Sequence, residues 1–272
     1  MPSRSLQALA LALFLAPPAL AAQQPLVQRE RAAFARWLLA SANSPYAAIA
    51  LARVGDGIAL GPADADVPLA AAGPWRIAEA PGGLILEGRS LRRTLPRYRL
   101  TTVGAYSFFP SGERGRTKVT VFGPVHDAHE PVYFEYDSSF VFIGPLLRDD
   151  APEPVRILAL DGLEVEATRV GSVLVPDGTA GTRLRVYRVP DPGTEESELT
   201  IYFQDATNDA GTYPAGRFVS LIPLPDGRYR LDFNRARNPF CAYSTVYPCP
   251  APWPGNRLQR GIAVGEKYEE KG

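Results

Sequence analysis

Residues 155–168 read VRILALDGLEVEAT, two apolar runs joined by Asp161-Gly162. In the second run Leu163, Val165 and Ala167 alternate with Glu164, Glu166 and Thr168, the two-residue period of a strand with one wet face. An Asp-Gly pair between two such runs predicts a two-residue hairpin turn, in which both central residues take positive φ. The glutamates then belong to the solvated face.

The same short, β-branched and aromatic runs recur on both sides of this hairpin. On the amino-terminal side they fall at 83–87, 98–103, 117–122, 132–136 and 140–143. On the carboxy-terminal side they fall at 183–189, 199–204, 217–222, 229–234 and 261–264. Turn residues bound nearly all of them. The chain holds 27 prolines and 24 glycines in 272 residues, which argues against long helices. One helix stands out at residues 27 to about 42, where Phe34, Trp37 and Leu38 sit at helical spacing and Asn43-Ser44-Pro45 ends the run. The expected fold class is therefore mainly β: an amino-terminal helix, then two packed β lobes of sandwich or barrel type. Residues 22–150 form the helix and first lobe, and 151–272 the second. A linker is expected at 147–154, and a surface excursion at 190–197.

Residues 1–21 read as a secretory signal peptide. Arg4 supplies the positive start, 6–15 an apolar run, and Ala19-Leu20-Ala21 a small-x-small cleavage pattern. The apolar run is too short to span a bilayer, and no later segment has the character of a transmembrane helix. Cleavage near Ala21 gives an exported, periplasmic or secreted protein. Twenty-nine basic residues balance 29 acidic ones, which leaves no global attraction for nucleic acid.

From residue 199 onward a denser pattern appears. Ile201-Tyr202-Phe203-Gln204-Asp205-Ala206-Thr207 leads to Thr212-Tyr213, Gly216-Arg217-Phe218 and Leu231-Asp232-Phe233-Asn234. Asn238-Pro239, Cys241-Ala242-Tyr243-Ser244, Cys249-Pro250, Asn256-Arg257-Leu258 and Val264-Gly265-Glu266 follow. This order resembles the uncharacterised bacterial family known as domain of unknown function 1684, over about 70 residues of the tail. Gly255 stands before Asn256, where the family pattern carries an acidic residue. The family has no established activity, so the resemblance implies residues to watch rather than a mechanism.

Cys241 and Cys249 lie in a proline-rich stretch, and in an oxidising compartment they are expected to form a disulfide. A redox couple or a metal pair are the alternatives, although redox couples favour Cys-x-x-Cys spacing and a metal would need further ligands. Asp205, Thr212, Tyr213, Arg217, Asp232, Asn234 and Asn238 form the candidate binding set. If they converge, Arg217 could clamp a small polar or anionic ligand and an aspartate could act as acid or base. The competing reading is a hydrogen-bonded network pinning loop to sheet. His126 and His129, bracketed by Pro124 and Pro131, read as a solvated turn. The arginines at 89, 92, 93, 97 and 99 read as a wet surface. No metal site and no cofactor is expected. The chain lacks a nucleophile elbow, a phosphate-binding loop and a zinc-protease helix motif. The reading that follows is an exported, non-catalytic binding or envelope-associated protein with a polar pocket around Arg217. The alternative is a hydrolase using Asp205 or Asp232 as general acid or base.

Overall fold

A computed structural model describes residues 23–179, 181–208, 210–251 and 253–269; the expected signal peptide lies outside them. Helix α1 (Gln23–Ala40) begins four residues ahead of expectation and buries Val27, Phe34 and Leu38, a single stripe. It stops where Ser44 turns its hydroxyl back to Leu38 O at 2.5 Å and caps a 3-10 turn at Pro45–Ala47.

Among the described residues sixteen strands follow in three open sheets, so the barrel alternative does not apply. The first lobe has a four-stranded sheet in the order β1-β9-β8-β7. Its strands are β1 (Ala48–Arg53), β7 (Thr101–Val103), β8 (Tyr106–Ser111) and β9 (Lys118–Phe122). A five-stranded sheet runs β3-β2-β4-β5-β6, from β2 (Ile58–Gly61), β3 (Val67–Pro68), β4 (Trp75–Ala80), β5 (Gly83–Glu87) and β6 (Arg92–Pro96). The two share one core of Ile77, Leu84, Leu86, Leu95, Phe108, Val119 and Val121.

The second lobe is one seven-stranded antiparallel sheet in the order β10-β16-β15-β14-β13-β12-β11. It comprises β10 (Val141–Gly144), β11 (Leu147–Leu158), β12 (Glu164–Val175), β13 (Thr182–Pro190), β14 (Ser197–Phe203), β15 (Arg217–Pro223) and β16 (Tyr229–Asp232). Through β10 the sheet reaches back ahead of residue 151. The expected linker at 147–154 is instead the first eight residues of β11. That strand is a sheet edge, the position in a sheet where prolines such as Pro152 and Pro154 are tolerated. Its hairpin to β12 also departs from expectation. Gly162 N bonds Ala159 O and Ala159 N bonds Leu163 O, with positive φ only at Gly162. This is the longer loop in which a type I turn ends on a left-handed glycine.

Both faces of the large sheet are covered by chain that returns after β16. One face packs Val186, Ile201, Phe203, Val219 and Leu231 against Phe233, Leu258, Ile262 and Val264. The other packs Tyr187, Tyr202 and Phe218 against Trp253. The expected strand at 261–264 does not form, because its backbone groups are taken by side chains rather than by a neighbouring strand.

Candidate functional site

Asp205 lies two residues beyond the end of β14, where the sheet gives way to a loop. Its Oδ1 accepts from Thr207 N at 2.8 Å, Thr207 Oγ1 at 2.5 Å and Ile262 N at 3.1 Å. Its Oδ2 accepts from Arg217 Nη2 at 2.9 Å. Arg217, the first residue of β15, also donates to Ile262 O at 2.7 Å and Val264 O at 2.5 Å. The two side chains thus receive the backbone of the carboxy-terminal tail as a strand would. Burial pushes the guanidinium pKa down, and the facing Asp205 carboxylate opposes that shift. Gly216 precedes Arg217 with φ +107, and a side chain there would run into Phe203 O. The Gly-Arg-aromatic order has a steric reason.

The other expected site residues extend this network. Thr212 Oγ1 meets Thr207 Oγ1 at 2.9 Å. Tyr213 places its hydroxyl 3.2 and 3.1 Å from the sulfurs of Cys241 and Cys249, which are joined as a disulfide with Cα atoms 5.5 Å apart. Asn238 donates through its backbone to Glu266 Oε2 and through its amide to Lys267 O, both at 2.9 Å.

Asp232 and Asn234 serve a neighbouring part of the fold. Strand β16 ends at Asp232, whose Oδ1 caps a 3-10 turn by accepting from Asn234 N at 3.0 Å. The strict alternation expected through 234 therefore breaks, and Leu231, Asp232, Phe233 and Asn234 are all buried. Asn234 exchanges two 2.9 Å bonds with the backbone of Asp137, and its own carbonyl accepts from Arg31 of α1 at 2.9 Å.

Three polar residues outside the expected set are as deeply placed. Glu266 is buried, accepts from Tyr243 Oη and Asn238 N, and has its pKa pushed up to about 7 by desolvation. Asn256 stands in for a strand by bonding Arg185 N, Arg185 O and Tyr202 O. Asp177 holds the backbone amides of Gln259 and Arg260. Glu266 and Asn256 were visible within the tail pattern. Asp177 sits in an ordinary Pro-Asp-Gly turn and gave no signal.

Arg217 has no exposed surface, and it lines neither of the two cavities described here. The smaller, about 10 Å³, lies among Val27, Glu30, Arg31, Tyr133, Asn234, Arg235 and Arg237 and has room for about one water. The larger, about 300 Å³, lies between the lobes. Its first-lobe wall carries Tyr98, Glu113, Arg116 and Lys118, and its second-lobe wall Arg156, Leu163, Glu164, Val165, Glu166, Pro190, Asp191 and Thr194. Both walls are held by fixed loops. Glu79 accepts from Gly115 N at 2.9 Å and binds the turn that carries Arg116. The 190–197 excursion is tied by Asp191 N to Glu196 O and Thr194 N to Asp191 O. Where Gly193 would carry a Cβ, that atom would stand 2.5 Å from Tyr98 Cβ. Tyr98 itself has φ +57, an uncommon conformation for a bulky residue. The excursion therefore reaches back to the first lobe. His129, by contrast, is an exposed residue that bonds Tyr46 Oη at 2.7 Å.

Fold and site define a two-lobed, mainly β protein whose second sheet is closed by a tail threaded under buried polar side chains. The chain belongs to the family described as "Protein of unknown function (DUF1684)", which matches residues 129–267. A solved structure of an uncharacterised protein from Haloarcula marismortui is 29% identical, with 52% of this chain and 77% of that chain covered and a TM-score of 0.43. No curated protein matches the chain.

Proposed function

We propose that this is an exported, non-catalytic binding protein of the cell envelope whose ligand occupies the cleft between the lobes. The observation that carries this reading is the cleft itself. At about 300 Å³ it falls at the lower end of small-molecule sites, which favour domain boundaries and combine apolar walls with a few polar groups. The network around Arg217 then acts as architecture, since both Nη groups bond Asp205 or tail carbonyls and the remaining Nε is buried away from either cavity. A hydrolase using Asp205 or Asp232 would need substrate at carboxyls whose residues are 4% and 0% exposed, so binding is preferred over turnover. Export is supported by the charged start, apolar run and Ala19-Leu20-Ala21 of the first 21 residues, together with the Cys241–Cys249 bridge.

The test is a thermal-shift screen of metabolites and glycans against the wild type and Thr194→Trp, which fills the cleft from an exposed loop. A compound that raises the melting temperature of the first and not the second supports the reading. Equal shifts in both, or none across the screen, overturn it. Fusion of residues 1–22 to a phosphatase that is active only after export tests the compartment, and an inactive fusion rejects it.

A further inference from the structure

The two walls of the cleft differ in charge. On the first lobe, Arg116 and Lys118 stand with one acid, Glu113. On the second, Glu164, Glu166 and Asp191 stand with one base, Arg156, and that base is already bound to Glu164 at 3.2 Å.

The remaining charges are free to act on a ligand. Among the described residues, the side chains of Arg116, Lys118, Glu113, Glu166 and Asp191 make no ion pair or hydrogen bond, so the first-lobe wall keeps two free cations against one free acid and the second-lobe wall two free acids. Lys118 is half-buried on β9 and lines the cleft. Leu163, Val165, Pro190 and Pro192 add apolar groups to the second-lobe wall. A cleft with an excess of cations on one wall and of carboxylates on the other discriminates by the sign of charge at each end of a molecule. A purely anionic ligand would meet Glu166 and Asp191, and a purely cationic one would meet Arg116 and Lys118.

We infer that the cleft takes a small zwitterion, an amino acid or short peptide. Its carboxylate lies against Arg116 and Lys118, and its ammonium against Glu166 and Asp191. This rests on the cleft being the binding site and adds the class of ligand. The first-lobe wall lies at 98–118, outside the 129–267 match, so half of this selectivity belongs to the part of the chain that the family match does not cover.

The experiment is calorimetric titration of the full mature protein with the free amino acids and a set of alanyl dipeptides. The same peptides are tested with the amine acetylated or the carboxylate amidated. The expected result is at least one zwitterion that binds tenfold or more tightly than either of its blocked forms. Lys118→Met should then lose the preference over the amide, and Glu166→Gln the preference over the acetylated form. Both residues are on the surface of the cleft, and circular dichroism melts confirm that each variant folds. Blocked and free forms that bind equally would overturn the zwitterion and leave the cleft as a binding site. A single-charge metabolite from the thermal screen that binds where no zwitterion does would have the same meaning. If nothing binds and the two variants alter only stability, the opposed charges serve to hold the lobes together, and both readings fail.

Discussion

Arg217 Nη2 stands 2.9 Å from Asp205 Oδ2, with both side chains fully buried. The pair joins the end of one strand to the start of the next, and between them they hold residues 262–264 by three backbone bonds. Removing one member leaves the other charged in a dry interior. Arg217→Met is expected to cost about 3–5 kcal/mol in urea unfolding. In the Asp205→Asn, Arg217→Met double variant the loss should be clearly smaller than the sum of the two single losses. Additive losses would mean that the pair is not coupled.

Glu266 gives the stability a defined pH dependence. Its carboxyl binds a proton more tightly in the folded chain, with a pKa of about 7, than at its ordinary 4.5. The stabilisation is fully present below about pH 4.5 and is lost as pH rises through about 7. Melting temperatures measured between these values should fall with rising pH in the wild type more steeply than in Glu266→Gln. Parallel curves would remove Glu266 as the cause.

The Cys241–Cys249 bridge closes a short loop beside Tyr213. Reduction should cost about 2–3 kcal/mol on the chain-entropy account of a loop this size. Cys249 is exposed, so a mild reductant suffices. Cys241→Ala, Cys249→Ala should reproduce the loss and be insensitive to reductant, as read by unfolding with and without it.

Gly193 has φ +89 and lies against Tyr98 across the cleft. Gly193→Ala introduces strain of about 1 kcal/mol and pushes the 190–197 loop away from the first lobe. Ligand affinity in the cleft should fall about tenfold while the melting temperature changes little. Unchanged affinity would show that the loop does not shape the site.

Much of the fold was legible because local pattern and tertiary role agree. The Phe34 and Leu38 stripe becomes the buried face of α1, and the alternation from Leu163 to Ala167 becomes β12 with Glu164 and Glu166 outward. Pattern failed where side chains replaced backbone partners. Residues 261–264 look like a strand but are held by Arg217 and Asp205, and β16 yields to a turn capped by Asp232. A hydrogen-bonded network of Asp205 and Arg217 pinning loop to sheet is one of the two readings the residues offer, but their complete burial has no local signal. The cleft had no local signature. Its walls come from segments near 98, 116, 156, 165 and 192, and only the packing of two lobes brings Lys118 and Glu166 to one cleft.

The most direct measurement is a backbone-amide NMR titration of the isotope-labelled protein with the strongest compound from the thermal screen. The account predicts that resonances at 111–118, 163–166 and 190–194 move together and saturate, while those of Asp205, Arg217, Asp232 and Asn234 stay in place. Saturating shifts confined to those four residues and the tail at 262–266, with the cleft unmoved, would contradict it.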